Sequence, residues 1–496
     1  MSLLPFTKNI YFAAKCYAKS RTNFRGSMRN LTSKQLIYSE FGDPVNVVKF
    51  RECNVPPLGA QDVLVRMLAA PVNPADINTI QGKYPVKIVL PSIPGNEGVG
   101  IVEQIGHEVK CISPGNKVIV TRPAQGTWRD IAVFNKDVLY VVPDDLGVVE
   151  AATITVNPCT AYRMLSDFKC LRESNLVVIQ NGANSACGQN IIQLCNAWGI
   201  KNVNIVRNRP EINELKQYLH SLGATFVLTE EELRSTMIFK DKQIDRPSLA
   251  LNCVGGKSSL EMLRHLKHSG AMVTYGGMSR EPVTIPTSAF IFKNLSFFGF
   301  WMTEWNKVAK ADAKDKMFTE LISLMCDLQL KAPVHKLIKF NQYQEALKNA
   351  LSPKGFTGCK YILDFAELIT FNTSVTRPVL ALNCLGGRYE DFMLKFLERN
   401  GVIVYYGCAF DLPMVKQFLR TDVNFCKFHL CEWDAQATCV EKDVMLNDII
   451  KLMVIGKFRA PIYEPVELKN YMHAIRNTVH CEAFSTVNYV FDFTLP

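Results

Sequence analysis

Leu176-Val-Val-Ile-Gln-Asn-Gly-Ala-Asn-Ser-Ala-Cys-Gly188 is the stretch on which the fold turns. Its first five residues are a continuous apolar run, too short for a helix and apolar on both faces. A loop with glycines at 182 and 188 follows, and residues 189–198 then take up a helical pattern. The alternation continues outward: strands at 203–206, 225–228, 248–253 and 271–275, with a helix at 212–222. Apolar strands alternating with helices predict a parallel sheet covered on both faces, the α/β doubly wound dinucleotide architecture, here over residues 157–324.

The loop after the first strand predicts a phosphate site, because N–H groups at a helix N-terminus bind a pyrophosphate. The glycine fingerprint is degenerate, with Asn184 in the middle position, so alone the loop reads equally as a plain strand–helix turn. About twenty residues on, where NAD-specific sheets carry an acid, the chain has Arg207-Asn208-Arg209. Two guanidiniums without a carboxylate suit a 2′-phosphate, the alternative being a solvated surface pair.

From residue 35 to 146 the texture differs, with short β-runs at 45–50, 62–70, 98–106, 117–121 and 138–142 broken by Gly and Pro. This predicts a mostly β domain over 35–156, completed by residues 325–365 through a helix at 313–330 and a strand at 360–365. The segment 246–365 then recurs. Arg246-Pro-Ser-Leu-Ala-Leu-Asn-Cys-Val-Gly-Gly256 returns as Arg377-Pro-Val-Leu-Ala-Leu-Asn-Cys-Leu-Gly-Gly387, and the order of landmarks holds to Asp364-Phe365 and Asp492-Phe493. Residues 366–496 are thus a partial α/β duplicate of 235–365. Either both copies occur in one natural chain, or two alternative C-terminal ends have been joined.

The chain of 496 residues is 48% hydrophobic and 21% charged, an ordinary globular balance, and no apolar run reaches the length of a membrane span. Much of its +10 charge precedes the first acid, Glu40. The acid-free basic start, residues 1–34, reads as a mitochondrial transit peptide or a basic tail. Nothing in the pattern points to nucleic acid. The 16 cysteines form no CxxC pair, which argues against a zinc ribbon and a disulfide scaffold.

Several motifs together carry a resemblance. Pro71-Val-Asn-Pro-Ala-Asp-Ile-Asn78, Gln81-Gly-Lys-Tyr84, Gly95-Asn-Glu-Gly98, Gly126-Thr-Trp128, Asn157-Pro-Cys-Thr-Ala-Tyr-Arg163 and Tyr275-Gly-Gly-Met278 resemble the mitochondrial trans-2-enoyl-thioester reductases, zinc-free medium-chain dehydrogenase/reductases. The resemblance runs from about residue 35 to 365 and implies a GroES-like catalytic domain beside the Rossmann-type sheet. It implies reduction of enoyl-acyl carrier protein or enoyl-CoA by NADPH in mitochondrial fatty acid synthesis, in the matrix, by a homodimer. Tyr84 is then the active-site tyrosine. Cofactor contacts are implied at Asn157, at Asn184, Ser185, Ala186 and Cys187, at Arg207, Asn208 and Arg209, at Tyr275, Gly276, Gly277 and Met278, at Phe300, Trp301, Met302 and Thr303, and at Lys360. No metal is expected, since Asn96 stands where zinc alcohol dehydrogenases carry a histidine. In the second copy the pattern decays: Tyr275-Gly-Gly-Met278 becomes Tyr406-Gly407-Cys408-Ala409, and Asn488 matches Lys360. Rival readings are a quinone or alkenal reductase of the same superfamily, and a non-catalytic binding protein that keeps the ancestral fold.

Overall fold

A computed structural model describes residues 31–169, 171, 176–350, 359–365 and 368, and beyond these the backbone of five strands. The basic stretch 1–30, the core of the predicted transit peptide, lies outside the described residues. The chain divides into two compact units, Met1–Thr370 and Phe371–Pro496.

In the first unit, β1 (Thr32–Ile37) and β2 (Lys49–Asn54) form an antiparallel pair. Strand β1 thus starts inside the stretch assigned to the transit peptide. The run predicted at 45–50 splits, because Asp43 accepts from the N–H of Val45 and Pro44 opens a short helix, Pro44–Val47. Next come β3 (Asp62–Pro71), β4 (Val99–Ile105), β5 (Lys117–Val120), β6 (Ile131–Asn135) and β7 (Leu139–Val142). The strand β6 has no counterpart in the sequence reading.

The Rossmann strands are β8 (Val178–Asn181), β9 (Asn202–Val206), β10 (Phe226–Thr229), β11 (Leu249–Asn252), β12 (Ala271–Thr274) and β13 (Ser296–Gly299). Their order, β10-β9-β8-β11-β12-β13, is that of a doubly wound sheet, and every pair is parallel. Adjacent residues of one strand face opposite sides: Ile205 packs with Ile179, Ala250 and Met272, and Val206 with Ile192, Leu215 and Leu219. Both faces are therefore covered, which is why these strands are mostly apolar, with the buried Gln180, Asn202 and Asn204 hydrogen-bonded to one another.

The chain returns to the β domain through the helix Ala311–Cys326, β14 (His335–Lys339) and β15 (Lys360–Asp364). Strand β15 pairs antiparallel with β3, joining a seven-stranded sheet in which Leu363 lies opposite Ala70. The return segment supplies core: Phe340 and Phe365 are buried in the same cluster as Leu36, Met67 and Trp128. Trp128 is fully buried, and its indole N–H donates to the carbonyl of Pro71 at 3.1 Å.

In the second unit β16 (Leu380–Asn383), β17 (Val402–Tyr406) and β18 (Asn424–Phe428) form a parallel sheet, and β19 (Tyr463–Glu467) pairs in parallel with β20 (Asn488–Asp492). Leu380 faces Val402 as Leu249 faces Ala271, and Tyr463 faces Asn488 as His335 faces Lys360. Among the described residues β16 is an edge, whereas β11 continues into β8.

Candidate active site

A cavity of about 420 Å³ opens between the β domain and the C-terminal ends of the Rossmann strands. Tyr84, Asn157, Cys187, Tyr275, Gly276, Gly277, Met278, Phe300, Trp301, Met302 and Thr303 all line it. They come from one end of the parallel sheet, just past β8, β12 and β13, joined by the loop that carries Tyr84 and the helix Asn157–Asp167. That end is where doubly wound sheets place ligands.

Tyr84 has a defined partner. The indole N–H of Trp301 donates to its phenolic oxygen at 3.0 Å, and the two rings meet edge to face with centroids 5.9 Å apart. The phenol thus accepts from Trp301 and keeps its own proton for the cavity. Burial raises the pKa of Tyr84 above the usual phenol value, the Trp301 bond opposes this, and the Asp76 charge adds to it. Tyr84 is therefore a neutral donor at physiological pH.

Beneath Tyr84 lies a buried polar network. The amide of Asn96 donates to Asp76 Oδ1 at 2.7 Å, and its carbonyl oxygen accepts from the N–H of Ala124 at 2.8 Å. Where zinc alcohol dehydrogenases carry a histidine, an amide here ties the helix Pro74–Ile80 to the turn at Ala124. Asp76 also accepts from the N–H of Asn73 at 2.8 Å. Burial dominates its titration and the Glu97 charge adds to it, so its pKa rises to about 7 although the Asn73 N–H and Lys360 pull it down.

Glu97, fully buried, accepts from Asn73 Nδ2 at 2.8 Å, Thr155 Oγ1 at 3.1 Å and the N–H of Val156 at 3.0 Å. Lys360 Nζ donates to Asn73 Oδ1 at 2.6 Å and lies 3.6 Å from Glu97. Glu97 thereby ties the segment 155–156 to Asn73 and to Lys360 at the start of β15.

The loop after β8 suits a pyrophosphate. Gly182 has φ +59°, and a Cβ at Gly188 would sit 2.6 Å from the carbonyl oxygen of Ala183, so both glycines are required by geometry. Ser185 caps the helix Ala186–Ala197 by accepting from the N–H of Gly188 at 3.1 Å. At Gly277 a Cβ would meet nothing within 4 Å, so bare backbone faces the cavity with room for a flat ring. Arg207 and Asn208 are exposed directly after β9, and Arg209 reaches back to the carbonyl of Arg207 at 3.4 Å. Partial burial lowers the pKa of Arg209, the neighbouring Arg207 charge adds to this, and the Glu211 charge opposes it. These residues fit a phosphorylated dinucleotide.

Residues 59–144 match the alcohol dehydrogenase GroES-like domain, and residues 186–315 the zinc-binding dehydrogenase family. The mitochondrial enoyl-(acyl-carrier-protein) reductase of Rattus norvegicus is 47% identical over 337 residues, covering 66% of this chain and 88% of the rat protein. That of Homo sapiens is 44% identical over 358 residues, 71% of this chain and 94% of the human one. The chain belongs to the mitochondrial enoyl-(acyl-carrier-protein) reductase family. Among solved structures, the Etr1p complex with NADP and crotonyl-CoA aligns with 68% of this chain and 100% of its own, at 33% identity and a TM-score of 0.62. The Etr1p/Etr2p heterodimer of the Candida tropicalis mitochondrial 2-enoyl thioester reductase aligns with the same values.

Within this reductase-family fold, Asn184, Ser185, Ala186, Arg207, Asn208, Arg209 and Lys360 stand outside the cavity wall. The first six lie at the ends of β8 and β9, along the same edge of the sheet, and Lys360 lies behind the wall on Asn73. Sequence reasoning missed Asn73, Asp76, Glu97 and Thr155 as a network. The signal was present: polar residues interrupt Pro71-Val-Asn73-Pro-Ala-Asp76 and Gly95-Asn96-Glu97 beside strands whose other residues are apolar. Trp301, expected only as a cofactor contact, is also the partner of Tyr84. Tyr275 places its hydroxyl against the thiols of Cys187 and Cys253 with no conventional hydrogen-bond partner, and burial lifts its pKa well above the phenol range.

Proposed function

We propose that this chain reduces trans-2-enoyl thioesters with NADPH. The observation that carries the reading is the Tyr84–Trp301 pair, set in one cavity with the glycine wall 276–277. NADPH, when bound, supplies the hydride that reaches Cβ of the substrate. The chain's own residues do the rest. The Gly182–Gly188 turn and the first N–H groups of the helix Ala186–Ala197 hold the pyrophosphate, and Arg207 and Arg209 hold the 2′-phosphate. As Cβ gains hydride, charge develops on the thioester oxygen and Cα must take a proton. The Tyr84 phenol, oriented by Trp301, donates to that centre, and the low-dielectric wall strengthens the bond. Lys360, on Asn73 and Glu97, supplies positive charge on the cofactor side.

The rat and human relatives are mitochondrial, and residues 1–30 fit a matrix-targeting segment. A homodimer through β13 is supported by its place at the sheet edge and by exposed Phe290, Ile291, Phe292 and Phe298 beside it. The domain limits proposed are 35–156 with 325–365 for the catalytic domain and 157–324 for the dinucleotide domain. Residues 366–496 are proposed as an appended partial duplicate of 235–365.

The test is the fate of the label from NADPH deuterated at the transferred position. With crotonyl-CoA as substrate, deuterium is expected at C3 of the butyryl product and a solvent proton at C2. Label in a reduced quinone or alkenal but none in a thioester product would favour the superfamily's other chemistry instead.

A further inference from the structure

Cations that the reduction itself does not use stand next to residues of the cavity wall. Arg122 is exposed between Thr121 and Pro123, both in the cavity wall. Lys314, on the helix Ala311–Cys326, donates through Nζ to the carbonyl oxygen of Asn306 at 2.8 Å, and Asn306 is also in the wall. The two like charges act on each other: partial burial first, and then Arg122, lowers the hold of Lys314 on its proton. On the loop that carries Tyr84, Lys83 precedes it and Lys87 stands between wall residues Val86 and Ile88, both lysines exposed.

The nearby acids are engaged elsewhere. Asp137 feels Arg122 but bonds Lys136 at 2.8 Å, and Glu304 bonds Lys307 at 2.8 Å. Among the described residues no carboxylate forms a salt bridge with Arg122, Lys314, Lys83 or Lys87. Gathering like charges at a low-dielectric cleft without a counter-ion raises the energy of the free protein, and an anionic ligand at that place relieves it.

We propose that Arg122 and Lys314, supported by Lys83 and Lys87, form a subsite for the phosphate of the substrate's pantetheine arm. This rests on the reading of the cavity as a thioester site. With the acyl group beside Tyr84, the arm must leave through the mouth. Coenzyme A and acyl carrier protein share the 4′-phosphopantetheine group, so a phosphate is the chemistry common to both carriers. A guanidinium and an ammonium together give it a fork of donors and a point charge.

The experiment measures steady-state kinetics of the full chain and of Arg122→Gln, Lys314→Gln and the double variant. Three substrates are used: crotonyl-CoA, crotonyl-loaded acyl carrier protein, and crotonyl-N-acetylcysteamine, which lacks the phosphate. The double variant should raise KM for both carrier-borne substrates by about tenfold or more, the scale of a charge-assisted contact. The salt dependence of KM should flatten, while kcat/KM for the phosphate-free thioester stays within about twofold. Loss for coenzyme A alone would reassign the cations to its nucleotide phosphates, and loss for the carrier protein alone to an acidic protein surface. Equal loss for all three would make the residues structural. Each of these overturns the proposal, whereas failure of the unsubstituted chain to reduce any enoyl thioester would instead overturn the assigned activity.

Discussion

Replacing Glu97 with Gln probes the network that ties the segment 155–156 to Asn73 and to β15. The carboxylate uses both oxygens as acceptors, for Asn73 on one side and for Thr155 and Val156 on the other, with the Lys360 ammonium 3.6 Å away. A glutamine amide offers one oxygen and one NH₂ group. Turned one way, it sets N–H against the N–H of Val156; turned the other, it sets N–H against the Asn73 amide; either way Lys360 is left without its anion. Breaking a buried ion pair by removing one partner costs about 3–5 kcal/mol. That is a large share of a typical total stability of roughly 5–15 kcal/mol. With a urea slope of about 3 kcal/mol/M, the midpoint should fall by roughly 1 M or more. The assay is urea unfolding followed by tryptophan fluorescence, with NADPH affinity measured on the folded variant, because Val156 and Lys360 border the cofactor residues. A midpoint shift under about 0.2 M with unchanged NADPH affinity would refute the claim that Glu97 fastens the segment 155–156 to Asn73 and Lys360.

Tyr84→Phe removes the phenolic proton while keeping the ring against Trp301, so kcat should fall by roughly 10²-fold with NADPH binding little changed; an unaltered kcat removes Tyr84 from the chemistry. Arg207→Gln with Arg209→Gln should weaken NADPH binding far more than NADH binding in a fluorescence titration, and equal losses would mean the arginines read another group. A chain ending at Thr370, where the first unit ends, should retain NADPH-dependent reduction and be at least as soluble as the full chain. An inactive or unfolded product would make the second copy part of the enzyme.

The Rossmann half was legible because its strands are buried on both faces, so Val177–Ile179 and Leu249–Leu251 appear as apolar runs. The β domain was less so. Its strand β6 had no counterpart in the sequence reading, and the run at 45–50 hid the Asp43-Pro44 helix start, whose capping signal outweighs the β-propensity of Val45, Val47 and Val48. The cavity residues near in sequence to strand ends were legible for the same reason as the strands. The Asn73–Asp76–Asn96–Glu97 network was not, because apart from the local Asn73–Asp76 bond its partners are 20 or more residues apart and meet only when β3 and β4 pair. Lys360 was assigned through the family motif, yet its partner Asn73 is 287 residues away, a contact no local pattern announces.

The most direct test of the central claim is NADPH oxidation by the purified chain, followed at 340 nm, with crotonyl-CoA compared against a quinone and an alkenal at equal concentration. The account predicts rapid oxidation with the enoyl thioester, one butyryl thioester formed per NADPH consumed, and slow turnover of the other two. Efficient reduction of the quinone or alkenal with no thioester product would contradict it.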